Sequence, residues 1–339
     1  MMTGVLIGLS VLVVTILLFY FFPYRFLEAI GLVPYIIYKQ IYISRLLRKS
    51  RFFVTSRGNI EFIFKGSNGP VLLYIHGSPG GCDQNIEPTQ KYRVLTPSRP
   101  GYRRTDISVG KTPEQQADSF KALLDTLEID KVFIMGVSGG GPSSMYFAAK
   151  YPEKTLGLIL FEAVSFSQDF IKKDQALINS WDFRLFIQLL FISSFGNDRL
   201  AKMMLPNEKN RSRLLEKKEN IVLLKKIIWS IWPMSIRRLG IKNDYKQFTN
   251  LNIPYDKISS PVLILHGDED INVDIEHARH ANKAINHSSL YILREADHMM
   301  HATHSEEIEE QIESFISVSY THLRAHETVL DLVCRLLLE

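Results

Sequence analysis

The chain has 339 residues, 46% apolar and 22% charged, enough to bury one large core or two smaller ones and too apolar for a disordered polymer. Forty Lys and Arg against 36 Asp and Glu leave a net charge of +4, too mild to argue for nucleic-acid binding by the whole chain. The two cysteines, Cys82 and Cys334, exclude a disulfide framework or a multi-cysteine metal centre, and the Gly and Pro contents (19 and 14) exclude low-complexity character.

Residues 1–24 carry no charged side chain, and 5–22 is an almost unbroken apolar run. A helix of that length nearly spans a ~30 Å hydrocarbon core. Neither a basic leader nor a small-residue cleavage site marks it as a cleaved signal. The expectation is an uncleaved single-pass membrane anchor, with membrane lipid as a partner. The basic residues that follow, Arg25 and Lys39 nearest, then favour a cytoplasmic domain. Residues 25–50 form a juxtamembrane linker, and the loosely helical spacing over Tyr35–Arg51 predicts an amphipathic interfacial helix or a linker helix packed on the domain.

From Arg51 to Ser317 short apolar runs alternate with helical patterns. Ile60–Phe64, Val71–Ile75, Arg93–Thr96, Val132–Gly136, Leu158–Phe161, Val262–Leu265 and Leu290–Leu293 read as strands. Pro113–Leu127, Gly139–Lys150, Asp274–Ile285 and Ser305–Phe315 read as helices. Such alternation predicts an α/β fold, a mostly parallel sheet covered on both faces. Its core is 51–165 and 258–317. Residues 166–257 are expected to be a helical cap, with Trp181–Phe195 and Ile221–Ile236 its most apolar parts. Residues 166–250 hold 16 Lys and Arg against 8 Asp and Glu, read as a solvated face or, alternatively, as an attraction to an anionic membrane surface.

Gly136-Val-Ser138-Gly-Gly140 follows an apolar run and opens a helix. A serine on such a tight turn needs small neighbours, and the helix behind it aims free N–H groups at the reacting centre. Upstream, Val71–Ile75 ends in His76-Gly77-Ser78-Pro79-Gly80, where an acyl-transfer enzyme places an oxyanion donor. The backbone N–H groups of Ser78 and Gly139 are the expected pair. Downstream, one strand ends in His266-Gly267-Asp268-Glu269-Asp270 and the next in Arg294-Glu-Ala-Asp297-His298. An acid and a histidine at successive strand ends complete the order Ser138, Asp270, His298, with His298 taking the serine proton and Asp270 holding the imidazole.

Other residues take quieter readings. His76 is expected to bond its loop, and the Ser78 hydroxyl to be incidental. Asp268 and Asp274 could stand in for Asp270. His301 and His304 read as polar residues opening the last helix rather than as metal ligands beside His298. His277 and His280 read as a solvated helix face, and Glu162 as a structural hydrogen-bonding group or, alternatively, a pocket-lining acid. Cys82 has no histidine motif of its own and is not expected to be a nucleophile. No metal or cofactor is called for.

Together, HGSPG at 76–80, SRPGYRRTD at 98–106, GVSGGGP at 136–142, HGDED at 266–270 and ADHMM at 296–300 resemble the α/β-hydrolase superfamily over about 51–317. The resemblance implies an eight-strand sheet, a cap at 166–257 and hydrolysis of an ester or related bond. It assigns the nucleophile to Ser138, the acid to Asp270 and the base to His298. The family usually has an acid before Arg-Pro-Gly and a second glycine soon after. Here Ser98 and Arg103 stand there, so that loop is expected to be built differently.

The function expected is a membrane-anchored serine hydrolase of carboxylic esters, lipid-like ones among them, acting through an acyl-enzyme. The HGSPG turn is similar to the HGGPG turn of proline iminopeptidases, which makes an amidase the nearest alternative. A catalytically idle scaffold or ligand receptor on the same fold is the non-enzyme alternative. The expected partner is a small-molecule ester or amide and not nucleic acid; the oligomeric state is not legible. Residues 318–328 and 332–339 resemble translated sequencing-library adapter, so 318–339 is expected to be an artefactual tail, with a genuine helix as the alternative.

Overall fold

The computed structural model describes residues 33–336 apart from 85, 86, 88, 90, 195 and 206. The chain divides between Lys49 and Ser50 into two compact units. In the first, the spacing read over Tyr35–Arg51 becomes helix α1 (Val33–Arg48), whose last turn holds Arg45 and Arg48. Cations there face the negative end of the helix dipole. The anchor expected over residues 1–24 lies outside the described residues. Among the described residues no helix is long and apolar enough to cross a membrane. Helix α1 rises only about 24 Å and carries three cations. The expected single-pass membrane localisation, inferred from one apolar run, is therefore corrected.

The second unit is built on eight strands: β1 (Arg51–Thr55), β2 (Gly58–Lys65), β3 (Val71–Ile75), β4 (Arg93–Pro97), β5 (Val132–Val137), β6 (Thr155–Phe161), β7 (Val262–Gly267) and β8 (Ser288–Leu293). They form one sheet in the order β1-β2-β4-β3-β5-β6-β7-β8. The pairs β1–β2 and β2–β4 are antiparallel, and every other pair is parallel. This is the α/β sheet expected. Strand β1 escaped the sequence reading because four of its five residues are exposed, which hides a buried-strand pattern.

Strands β3, β5, β6 and β7 are buried throughout. Alternate side chains serve opposite faces. Leu73, Ile75, Ile134 and Leu160 pack with α2 (Pro113–Thr126), α3 (Gly141–Lys150) and α10 (Glu276–Ala284) through residues such as Leu123, Phe147 and Ala278. Leu72, Phe133, Met135 and Ile159 pack on the other face with Ile308, Ile312 and Ile316, a stripe at four-residue spacing along α12 (Ser305–Leu336). Helix α12 crosses residue 318 without a break, and Tyr320 packs against the same cluster.

Among the described residues six α-helices lie between β6 and β7: α4 (Ile171–Ile178), α5 (Asp182–Ser194), α6 (Asn197–Met204), α7 (Glu208–Glu216), α8 (Lys218–Trp229) and α9 (Arg238–Phe248). The apolar run expected to stay helical over Ile221–Ile236 stops at Trp229, because Pro233 has no N–H to continue the ladder. The short helix α11 (Met300–Thr303) precedes α12.

Register decides where the chemistry sits. Ile75 pairs with Gly136, Val137 with Phe161, Phe161 with Leu265, and Gly267 with Leu293. The residues just past the carboxyl ends of β3, β5, β6, β7 and β8 therefore emerge along one edge, where open parallel sheets bind ligands.

Candidate active site

Ser138 follows β5 directly, in a tight turn over Ser138–Gly140 that runs into α3. Its φ of +49° lies in the left-handed region that L-residues with a side chain seldom adopt. Such strain persists only where the surroundings enforce it, and it clusters at functional positions. A Cβ on Gly139 would lie 2.3 Å from the Ser78 hydroxyl. Only glycine lets the 77–78 turn approach residue 139 so closely, which sets residues 78 and 139 side by side.

Asp270 and His298 meet across the ends of β7 and β8. His298 Nδ1 lies 2.7 Å from Asp270 Oδ2, while Asp270 Oδ1 accepts the N–H groups of Asn272 and Val273 (2.8 and 3.0 Å). Burial opposes the charge on Asp270, but His298 and the Val273 N–H outweigh it and hold the carboxyl below its ordinary value. For His298, burial pulls downward, while the neighbouring carboxyls of Glu162 and Asp270 push it above the ordinary imidazole value. Glu162 is itself driven well above the carboxylate range by burial. At neutral pH, then, Asp270 is the charge that raises His298. Ser138, Gly139, Gly77, Ser78 and His298 all line one cavity of about 350 Å³.

The turn carrying Ser78 is held from beneath and from the helices between β6 and β7. Buried His76 accepts the Arg99 N–H at Nε2 (2.9 Å), so its Nδ1 is the donor to the Gly77 carbonyl (2.8 Å). The structural role read for His76 fits these bonds. The Ser78 hydroxyl, expected to be incidental, is not. It donates to Asp244 Oδ2 (2.5 Å) and accepts from Arg99 Nη2 (2.8 Å). Asp244 on α9 also takes both guanidinium nitrogens of Arg99 (2.9 and 2.6 Å) and the Tyr102 hydroxyl (2.5 Å). Arg99 and Asp244 side chains are each 1% exposed, so this is a buried pair with its lone pairs occupied. A second residue of the segment between β6 and β7, Arg237, donates to the Gly80 carbonyl (2.6 Å) and to both oxygens of Asp83 (3.1 and 2.6 Å). Despite burial, Arg237 and Arg103 hold Asp83 down at about 2.

The departures at Ser98 and Arg103 explain each other. Glu61 on β2 supplies a buried acid, taking the Ser98 hydroxyl (3.2 Å), both forks of Arg103 (3.0 and 3.0 Å) and Arg104 Nε (3.0 Å). Arg103 sits at φ +55°, where the resembled family has glycine. The bidentate bond to Glu61 and the contact with Asp83 hold it in that conformation.

Gly80 tests the rigidity of this turn. A Cβ there would lie 1.9 Å from His76 Nδ1 and 2.4 Å from the Gly77 carbonyl oxygen, both fixed by bonding. Gly80→Ala is expected to lower stability by at least about 1–3 kcal/mol, measured by urea unfolding.

The sequence reading of His277 changes. His277 is not a solvated face: it is buried, its Nδ1 accepts the Ser165 N–H (3.0 Å), and it stacks on Phe166, so burial lowers it to about 4. His280 is exposed, with its ring against Phe166 and Tyr255. His301 lines the cavity, its ring 4.1 Å from that of Phe161, and burial lowers it to about 4. His304 bonds Thr303 (2.8 Å) and meets Arg213. Asp268 caps Glu295 N–H (2.6 Å) and Asp274 caps Glu276 N–H (2.9 Å). Burial pushes the Cys82 thiol up to about 12, so little thiolate exists near neutrality. Among the described residues, the donor atoms that converge within 4.8 Å are those of Glu162, Asp270 and His298, and not those of His298, His301 and His304. Asp244 and Arg237 were missed altogether, since a lone acid and a lone base in a helical insertion carry no motif.

A model of the alpha/beta hydrolase fold family matches residues 70–305. The chain is an α/β hydrolase. It is 30% identical over 261 residues to the uncharacterized hydrolase YcgS of Bacillus subtilis (strain 168), covering 72% of this chain and 89% of that protein. It is 24% identical over 274 residues to a 2-hydroxy-6-oxononadienedioate/2-hydroxy-6-oxononatrienedioate hydrolase of Dechloromonas aromatica (strain RCB), covering 74% and 88%. Among solved structures, an alpha/beta hydrolase fold protein from Nakamurella multipartita matches with a TM-score of 0.70 and 26% identity over 79% of this chain and 98% of that one. This α/β hydrolase is an enzyme, and the idle-scaffold alternative is set aside.

Proposed function

We propose that this α/β hydrolase cleaves carboxylic esters of apolar acyl groups through an acyl-enzyme on Ser138. The observation that carries the reading is the 2.7 Å His298–Asp270 bond at the wall of a cavity that Ser138, Gly139 and Ser78 also line. Ser138 Oγ attacks the ester carbonyl as His298 takes its proton, and Asp270 stabilises the imidazolium without accepting a proton. The oxyanion rests on the N–H groups of Ser78 and Gly139, each worth ~3–4 kcal/mol in the transition state. His298 returns the proton to the leaving alcohol, and the same steps with water release the acid.

The cavity wall argues for the substrate class. Phe170, Leu177, Leu223, Ile227 and Phe248 of the cap face the cavity and favour an apolar acyl chain. The dioate named for the D. aromatica relative has two carboxylates. Among the described lining residues Lys226 is the one Lys or Arg, it is 47% exposed, and it lies 3.7 Å from Glu87. An aminopeptidase substrate brings an ammonium group, but the ionised acid on the wall, Asp83, is already held by two guanidiniums. A neutral ester leaves neither charge unpaired.

A fluorophosphonate probe tests the mechanism. The full chain is expected to gain one adduct by intact mass, with loss of fluoride, and Ser138→Ala and His298→Ala to gain none. No adduct on the folded parent would defeat the acyl-enzyme reading.

A further inference from the structure

A triad accounts for Asp270 and His298 but leaves Glu162 unexplained. Glu162 follows β6, between the exits that carry Ser138 and Asp270, and is held at φ +48° with 2% exposure. Its N–H is bonded to the Leu265 carbonyl (3.0 Å), which fixes the backbone. Its Oε2 lies 3.6 Å from His298 Nδ1, the nitrogen that Asp270 already holds at 2.7 Å. Its Oε1 is buried without a hydrogen-bond partner, so the quiet structural role read from sequence does not describe it. A buried polar atom left unpaired costs roughly 1–3 kcal/mol, a cost that invites a functional account.

Two carboxyls aimed at one nitrogen cannot both ionise easily. The titratable groups facing Glu162 are His298 and Asp297 from the β8–α11 loop, Asp270 from the end of β7, and Tyr74 on β3; His301 of α11 lines the same cavity. Burial first, and then the charges of Asp270 and Asp297, keep Glu162 protonated, while Asp270 keeps the anionic place. Removing the Asp270 charge removes one of those repulsions and leaves the imidazolium unpaired.

We propose that Glu162 is a reserve positioning residue for His298, whose carboxylate receives the Nδ1–H when the Asp270 charge is absent. The inference rests on the Ser138–His298 reading. In that state Glu162 has released its proton to solvent, the Ser138 proton goes to His298 Nε2, and the Nδ1 proton stays on the imidazolium, hydrogen-bonded to Glu162.

The test is a double-mutant cycle in the full chain, Asp270→Ala, Glu162→Gln and both together, with Ser138→Ala as reference. Hydrolysis of p-nitrophenyl butyrate is followed from about pH 5 to about pH 9. Loss of the acid from a serine triad ordinarily lowers kcat by ~10⁴-fold. Here Asp270→Ala is expected to lose no more than about 10²-fold at the alkaline end, with a rate that climbs as Glu162 ionises. Adding Glu162→Gln is expected to remove a further ~10²-fold and abolish that climb. A double variant within about threefold of Asp270→Ala at every pH would overturn the proposal. If Asp270→Ala does not fold, Asp270→Asn keeps an acceptor for the Asn272 and Val273 N–H groups, and the same cycle is read on it. Full activity in Ser138→Ala would instead defeat the acyl-enzyme reading, leaving the two failures distinct.

Discussion

Ser138→Ala is expected to lower kcat for a p-nitrophenyl ester by about 10⁵–10⁶-fold while shifting the thermal midpoint by less than about 2 °C. The asymmetry follows from where the hydroxyl sits. It faces a cavity and not the core, so its removal leaves no void among packed side chains. His298→Ala is expected to cost about as much, and the double variant little more, because the two groups act as one unit. The parent enzyme should show a matching pH signature. His298 must be neutral to accept the serine proton, and its value lies above the ordinary imidazole value of 6.5. The rate is therefore lost as pH falls through that raised value, about tenfold per pH unit below it. A midpoint of the acid limb below 6.5 would contradict the Asp270–His298 pairing, and Ser138→Ala with near-parental turnover would remove the serine from the chemistry.

Legibility in the sequence tracked how local each signal was. The strand-end segments at 76–80, 136–142, 266–270 and 296–300 each occupy a few consecutive residues, because a turn after a buried strand is specified by its own glycines and acids. Parallel register then gathers them, and the alternation of short apolar runs with helices already implied a parallel sheet. What the sequence hid was the pairing across long separations. Ser78 and Asp244 are 166 residues apart, and Arg99 and Asp244 are 145 apart. No spacing rule connects a turn to a helix inserted between two later strands. His277 failed differently: an amphipathic helix with a histidine at its margin reads as solvated until Ser165 and Phe166 fold over it. Glu61, supplied from β2, replaces an acid missing at position 98, so the loop chemistry survives although its motif does not.

The largest loss of stability is expected at one of those hidden positions. Asp244→Ala leaves the Arg99 guanidinium buried at 1% exposure without its carboxylate, and breaking a buried pair from one side costs about 3–5 kcal/mol. Tyr102 and Ser78 lose an acceptor as well, so urea unfolding should fall at the upper end of that range. Activity should fall too, because Asp244 ties the cap helix α9 to the turn whose Ser78 N–H is a proposed oxyanion donor. Ser78→Ala separates the two effects. It keeps the Arg99–Asp244 pair, so it should cost only about 1 kcal/mol of stability. Yet it frees the turn, and kcat should drop by at least about tenfold, a fraction of the 10²–10³-fold lost when an oxyanion donor is removed outright. Stability lost in Asp244→Ala with unchanged kcat in both variants would make the network a structural clamp alone. A parallel fall in kcat, with little change in KM, would make the cap a part of the oxyanion hole's geometry, since a donor displaced from the transition-state oxygen weakens turnover more than ground-state binding.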